Sequence, residues 1–269
     1  MKIKYDALQN ENRITTVLLL AAGTGSRLMP LTDESPKCLT LVNEISILAR
    51  LVENLAAQGI KKLVIVTGHL SASIEGFLGE RYENIDIEYI HSPLYKTTNN
   101  IYSLWMARKI MVEPFILIES DLVFDVSLLS EMMYPDRMAI AEIKDWMNGT
   151  TVTINKDRRV LGFKNDTTFS EDEIKYKTVN IYSFSQSSWK TISERLDRHI
   201  QEEKVNGYYE TVFSELVDED ALLFDAVSFD KKAWYEIDTL KDLAEAMKLF
   251  PVKQLIGEIS NKEATYAIG

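Results

Sequence analysis

Three short, β-rich and mostly apolar runs constrain this chain more than any other feature: Ile14–Ala21, Leu63–Thr67 and Phe115–Ile118. Each is shorter than an ordinary buried helix, and none alternates polar with apolar residues as a half-solvated strand does. Such runs suit strands buried on both faces, the situation of a parallel sheet with helices on either side. The intervening residues agree. Residues 45–58 carry Leu48, Leu51, Val52 and Leu55 at helical spacing, and Gly59 is placed to end that helix. Ser71–Leu78 and Ile101–Lys109 read as further helices, and Ile85–Ile90 as a half-buried strand. The expected fold is α/β: a Rossmann-like, mainly parallel mixed sheet flanked by helices. Ligands of such sheets bind beyond the carboxyl ends of the strands, which puts Gly23, Gly68 and Asp121 at one edge.

The pattern changes after about Met138. Met138–Ile143, Thr151–Ile154, Val160–Lys164 and Thr178–Ser183 read as strands, with a hairpin turn at Asn155–Arg158. Ser187–Glu203 and Tyr208–Val217 read as helices, Trp234–Ile237 as one more strand, and Leu240–Phe250 as a helix closed by Pro251. No Gly/Ser/Pro-rich linker separates the halves, so residues 1–250 read as a single domain with an elaborated second half. Residues 251–269 read as a tail: an appendage, an interface within a homodimer, or a linker to a further catalytic domain.

Composition removes several classes of function. The chain has 269 residues and a formal net charge of −11, which disfavours both nucleic acid and anionic membrane surfaces as partners. Cys38 is the single cysteine, so neither an internal disulfide nor a Cys-rich zinc site is available. The first 13 residues lack a secretory apolar core, and the run Val17–Ala22 is far too short to span a bilayer. A cytoplasmic protein is expected. His69, His91 and His199 do not have zinc-site spacing.

The first run ends in Leu20-Ala21-Ala22-Gly23-Thr24-Gly25-Ser26-Arg27-Leu28. Small residues let backbone N–H groups approach phosphate oxygens, and Arg27 adds a permanent cation. It is not a P-loop, because Gly25 is followed by Ser26-Arg27 rather than Lys-Ser/Thr, and Leu28 stands where a dinucleotide fingerprint needs a small residue. A plain strand-to-helix turn is the alternative for the glycines alone. Pro30-Leu31-Thr32 and Ser35-Pro36-Lys37 follow. Together these segments closely resemble the signature of the nucleotidyltransferases that activate sugar phosphates and alcohol phosphates, a Gly-x-Gly-x-Arg-Leu loop followed by Pro-Lys. That resemblance implies the nucleotide-diphospho-sugar transferase type of fold, with about residues 14–130 binding an NTP and about 131–250 binding the acceptor. It further implies that Leu20 to Arg27 wrap the triphosphate and that Arg27 and Lys37 bind phosphate. Cys38 reads as a small buried residue, since no nearby His would activate it.

Nucleotidyl transfer needs a divalent cation to neutralise charge on the phosphates, and magnesium takes few protein carboxylates. Phe115–Ile118 delivers Glu119-Ser120-Asp121 to the sheet edge. Asp121 matches the magnesium-binding strand end that the resemblance implies, with Glu119 and Asp125 as rivals; Asp125 also suits capping of a helix near Val126. Trp234-Tyr235-Glu236-Ile237-Asp238 resembles the closing motif that carries the second magnesium-binding Asp. Asp238 reads equally as the N-cap of the Leu240 helix, and the two roles are compatible. Catalysis would rest on Lys37, Arg27 and Asp121.

Thr97-Thr98-Asn99-Asn100-Ile101-Tyr102-Ser103 resembles the base-binding segment of the phosphocholine cytidylyltransferases of bacterial cell-surface modification. Asn100 and Ser103 are then base-pocket residues and CTP the donor, although Asn and Ser here also suit helix capping. Tyr176–Tyr182 and Asn206–Glu210 resemble the related 2-aminoethylphosphonate cytidylyltransferases. Trp146, Lys177, Asn180, Tyr208, Tyr209 and Glu210 are the candidate acceptor-binding residues, with core packing the alternative for each aromatic. The expected reaction moves CMP from CTP to a small amine-bearing phosphonate or phosphate. 2-Aminoethylphosphonate is the first choice and phosphocholine the second. A UTP- or dTTP-dependent sugar-1-phosphate nucleotidyltransferase is one alternative, and a non-catalytic nucleotide-binding regulatory domain another.

Overall fold

The computed structural model describes residues 13–164 and 175–251; the expected tail beyond Pro251 lies outside them. The strands are β1 Thr16–Ala21, β2 Leu41–Val42, β3 Ile45–Ser46, β4 Lys62–Thr67, β5 Arg81–Tyr82, β6 Ile85–His91, β7 Phe115–Glu119, β8 Leu122–Phe124, β9 Arg137–Glu142, β10 Thr151–Ile154, β11 Val160–Lys164, β12 Lys175–Phe184, β13 Asp225–Ser228 and β14 Trp234–Glu236. One sheet runs in the order β11-β10-β12-β7-β1-β4-β6-β5, with β9 beside β12 and β13 beside β9.

Its centre, β7-β1-β4-β6, is wholly parallel. β1 shows why the sequence demands this. Val17, Leu19 and Ala21 face one layer, against Leu48, Leu51, Val52 and Leu55 of the Ile47–Ala57 helix and Ile74 and Leu78 of the Ser71–Leu78 helix. Leu18, Leu20 and Ala22 face the other, against the Asn100–Met106, Gln186–Gln201 and Tyr209–Asp218 helices. A strand whose successive side chains alternate between two buried faces leaves little room for polar residues, and Thr16 at its start is satisfied by donating to Glu113 Oε1 at 2.7 Å.

The second half continues the same sheet in the antiparallel sense. β12 pairs with β7 and β10 along one side and with β9 along the other. It is longer than the sequence indicates and slips register between Thr178 and Tyr182. Asn180 lies in that bulge with φ of 59°, a left-handed conformation that Asn tolerates better than most residues. β8 and β14 form a separate antiparallel pair. A third apolar cluster, including Leu28, Val123, Tyr235, Ile237 and Leu243, packs the Leu240–Leu249 helix against this pair.

Most elements fall where the periodicity places them. The first helix starts at Ile47 rather than Ile45, because Ile45–Ser46 pairs back on Leu41–Val42 and the Ser46 side chain accepts from the Ala49 N–H. Among the described residues, no helix is long and apolar enough to cross a membrane.

Candidate active site

A cleft of about 300 Å³ opens over the carboxyl ends of β1 and β7. The residues from Leu20 to Arg27, Thr24 apart, line it, together with Lys37, Asn100, Ser103, Asp121 and Asp238. The loop after β1 turns at Gly25, where φ is 64°. The Gly25 carbonyl accepts from the Leu28 N–H at 2.9 Å and from Thr32 Oγ1 at 2.9 Å. A Cβ at residue 25 would sit 2.9 Å from Lys37 Cβ, so glycine serves both the left-handed turn and the passage of the lysine stem. The loop is tied to β4 by the His69 N–H, which donates to the Ala22 carbonyl at 3.1 Å.

Lys37 ends the approach. Pro36, extended at φ −65° and ψ 146°, leads into a single 3-10 turn from Lys37 to Leu39. The Lys37 ammonium then donates to Asp121 Oδ2 and Asp238 Oδ1, each at 2.7 Å. These carboxylates come from distant parts of the chain. Asp121 follows β7, Asp238 follows β14, and the Ile237 N–H donates to the Asp121 carbonyl at 2.9 Å, which pins the second strand end against the first. Arg27 Nη2 also donates to Asp238 Oδ1 at 2.7 Å, from a side chain 62% exposed to the cleft and solvent. Burial pushes the Lys37 pKa down, but Asp121 and Asp238 outweigh it and hold the ammonium above its ordinary value.

The capping alternative for Asp238 is corrected. Thr239 is the N-cap of the Leu240–Leu249 helix, in a reciprocal capping box with Asp242. The Asp242 carboxylate accepts from the N–H groups of Asp238 and Thr239, which leaves the Asp238 side chain turned to Lys37 and Arg27. Asp125 does cap, accepting from the Ser127 N–H. The donor set at Asp121 and Asp238 fits magnesium. Asp121 Oδ1 is buried without a hydrogen-bond partner. Among the described residues, no three His, Cys, Asp or Glu side chains converge to enclose a metal.

Asn100 lines the cleft, but its amide is engaged within the protein. Nδ2 donates to Glu119 Oε1 at 3.0 Å, and Oδ1 accepts from the Tyr209 N–H at 3.0 Å. Asn99 makes the helix cap, accepting from the Asn100 N–H. Ser103 is buried at the cleft wall. Cys38 is buried there too, and burial pushes its thiol up to about 12, far from a nucleophile's range.

The candidate acceptor residues divide. Tyr208 lines the cleft and is largely exposed. Tyr209 is fully buried beside Tyr182, their rings edge to face at 5.8 Å. Lys177 is buried, with Nζ 3.6 Å from Glu236 Oε2 and donating to the Thr178 carbonyl at 2.7 Å. Asn180, swung round by the β12 bulge, donates to Glu236 Oε1 at 3.1 Å. Glu210 is buried in the first turn of its helix. Trp146 packs away from the cleft lining, its ring stacked on Tyr235 at 4.1 Å and 13°.

Burial, and then neighbouring carboxylates, raise Glu119 to about 8. Burial likewise lifts Glu210 and Glu236 to about 7, against the pull of Lys177 on both. Sequence reasoning did not select Glu236, Tyr182 or Tyr95. Glu236 had a signal, since in an extended strand it shares a face with Asp238. Tyr95 had none: it lines the cleft because Gly68 lets its ring approach, a Cβ at Gly68 falling 2.8 Å from Tyr95 Cβ.

The nucleotidyl transferase family matches residues 16–251. A protein of Streptomyces rubellomurinus, CMP-5'-(3-aminopropyl)phosphonate synthase, is 29% identical over 255 residues, covering 88% of this chain. The chain spans only 40% of that relative's length. The CTP:phosphoglutamine cytidylyltransferase of Campylobacter jejuni is 26% identical over 259 residues, which is 84% of this chain and 96% of the relative. The solved CTP:phosphocholine cytidylyltransferase of Streptococcus pneumoniae shares the fold, with a TM-score of 0.74 and 22% identity, covering 87% of this chain and 99% of that one.

Proposed function

Since the chain belongs to the nucleotidyl transferase family, we propose that it is a magnesium-dependent cytidylyltransferase acting on a small amine-bearing phosphonate or phosphate. The observation that carries this reading is Lys37 held between Asp121 and Asp238 at the mouth of the glycine loop. CTP as the donor and a phosphonate or phosphate as the acceptor follow the activities of the relatives. 2-Aminoethylphosphonate is the first-choice acceptor and phosphocholine the second.

In this reading the backbone from Leu20 to Ser26 cradles the triphosphate, and Arg27 and Lys37 neutralise it. Ser103 and Tyr95 border the base. Magnesium, when bound by Asp121 and Asp238, supplies charge neutralisation at the phosphates. The acceptor's anionic oxygen attacks the α-phosphorus, the new P–O bond forms as the α–β bridge breaks, and pyrophosphate leaves with the electron pair. An acceptor oxygen that is already anionic needs no general base, so the residues act by positioning and by electrostatics. A cytoplasmic setting, where CTP is available, goes with this reaction.

The test is pyrophosphate release with magnesium, a panel of CTP, UTP and dTTP, and separate acceptors: 2-aminoethylphosphonate, phosphocholine and glucose 1-phosphate. Release with CTP and an amine-bearing acceptor is expected, and chelation of magnesium should abolish it. Release only with glucose 1-phosphate, or nucleotide binding with no release, refutes the reading.

A further inference from the structure

Two walls of the cleft, from distant parts of the chain, meet on one side chain. Thr98, Asn99 and Asn100 line the cleft, as do Glu119 and Asp121 at the end of β7 and Tyr208 from the turn between the Gln186–Gln201 and Tyr209–Asp218 helices. Asn99 and Asn100 open the Asn100–Met106 helix, and both reach across to that turn. The Asn99 N–H donates to the Val205 carbonyl at 2.9 Å, and Asn99 Nδ2 to the Asn206 carbonyl at 3.4 Å. Asn100 Oδ1 accepts from the Tyr209 N–H at 3.0 Å, directly after Tyr208. Asn100 Nδ2 donates to Glu119 Oε1 at 3.0 Å, on the strand end that leads into Asp121. The Tyr209 hydroxyl lies beside the same carboxylate, which closes a ring of Asn100, Glu119 and Tyr209. A primary amide has one acceptor end and one donor end, and each is committed here to a different wall. Turning the amide over would set Nδ2 against the Tyr209 N–H and Oδ1 against the Glu119 carboxylate, so both partners fix its orientation.

We propose that Asn100 is a positioning residue for the transfer: its amide clasps the Tyr208 turn to the strand end that carries Asp121, and it does not read the base. The inference rests on the cytidylyl-transfer reading. The glycine loop, Lys37 and Asp121 all belong to the first half of the chain, whereas Tyr208 is delivered by the second. The clasp sets the spacing of these two walls. A shift of one wall against the other misaligns the attacking oxygen with the α-phosphorus, and the rate depends steeply on that alignment. A nucleotide held by the glycine loop stays in place meanwhile. Loss of the clasp therefore falls on kcat, and base selectivity is left to the groups that touch the base.

The test uses the polarity of the clasp. Asn100→Asp keeps an acceptor for the Tyr209 N–H but turns an oxygen toward Glu119, and an Asp suits the first turn of a helix. Adding Glu119→Gln exchanges donor and acceptor: the glutamine amide donates to the aspartate, and the net charge equals that of the wild type. Asn100→Asp should lower kcat for pyrophosphate release by about 10- to 100-fold, with the calorimetric affinity for CTP and the CTP-to-UTP ratio of kcat/KM within about threefold of the wild type. The double variant should recover kcat to within about fivefold of the wild type. Glu119→Ala releases the clasp from its other end and serves the same comparison where Asn100→Asp does not fold. Hydrogen exchange without nucleotide should rise about tenfold across residues 203–208 in Asn100→Ala and return to the wild-type rate in the double variant. A CTP-to-UTP ratio that falls more than about tenfold in Asn100→Asp makes Asn100 a base reader and overturns the clasp. A lowered melting temperature with kcat unchanged leaves only a structural bond and overturns it too, as does a double variant no more active than Asn100→Asp alone. If the wild type releases no pyrophosphate with any acceptor, the transfer reading falls. The exchange rates then judge the clasp by themselves: faster exchange that the double variant reverses upholds it, and unchanged exchange sinks it.

Discussion

Replacing Lys37 with Met keeps the aliphatic stem and deletes the charge that Asp121 and Asp238 share. Both ion pairs are 2.7 Å long, and the three side chains are only 15%, 13% and 10% exposed. Removing one partner of a fully buried pair costs about 3–5 kcal/mol, because the other charge is left uncompensated. This triad borders an open cleft and Arg27 still reaches Asp238, so about 2–3 kcal/mol is the reasonable figure. Lys37→Met should therefore lower the urea-unfolding free energy by that amount at neutral pH. Adding Asp121→Asn removes one of the stranded charges, so the double variant should be more stable than the sum of the singles by about 1–2 kcal/mol. The same substitution should lower kcat for pyrophosphate release by about 100- to 1,000-fold, the usual effect of removing a preorganised charge. A coupling below about 0.3 kcal/mol would show that the ammonium does not hold the two carboxylates together. An unchanged kcat would remove Lys37 from the site.

Glu210 has its pKa raised from 4.5 to about 7, so the folded chain keeps that proton more tightly than the unfolded chain. Its contribution to stability is complete below pH 4.5 and is lost as pH rises toward 7, and Glu210→Gln should flatten the loss, by roughly 1–3 kcal/mol across this window in urea melts. Gly68→Ala places a Cβ 2.7 Å from the Ala22 carbonyl and 2.8 Å from Tyr95 Cβ; it should cost about 1–3 kcal/mol and raise KM for CTP, since both neighbours line the cleft. Asp242→Ala opens the capping box and frees the Asp238 N–H, so calorimetry should show a loss of about 1 kcal/mol, with kcat reduced several-fold through Asp238.

The glycine loop and Asp121 were legible in the sequence because each follows directly on a strand whose ending could be read from its apolar run, and Lys37 through the Pro36-Lys37 motif beyond the loop. The same locality exposed the helix at Ser71–Leu78 and the strands at Thr151–Ile154 and Val160–Lys164, which the structure reproduces residue for residue. Asp238 was legible as a residue but ambiguous in role. The capping signals at its helix start, Asp238, Thr239 and Asp242, lie within five positions, and only the geometry assigns the cap to Thr239. Asn100 looked like a base reader from its type and place, yet its amide is committed to Glu119 and Tyr209, partners 19 and 109 positions away.

The sequence alone determined what depends on near neighbours: which runs become doubly buried strands, where the chain turns on Gly25, and which carboxylate a strand end delivers. Only the tertiary structure decided what depends on convergence from afar. The β12 bulge that aims Asn180 at Glu236, the meeting of Lys37 with carboxylates 84 and 201 positions away, and the burial of Glu210 and Tyr182 together all follow from how the second half folds back on the sheet. The physical reason is that hydrophobic patterning specifies faces and periods, whereas the environment of a charge is set by whichever residues the completed packing brings beside it.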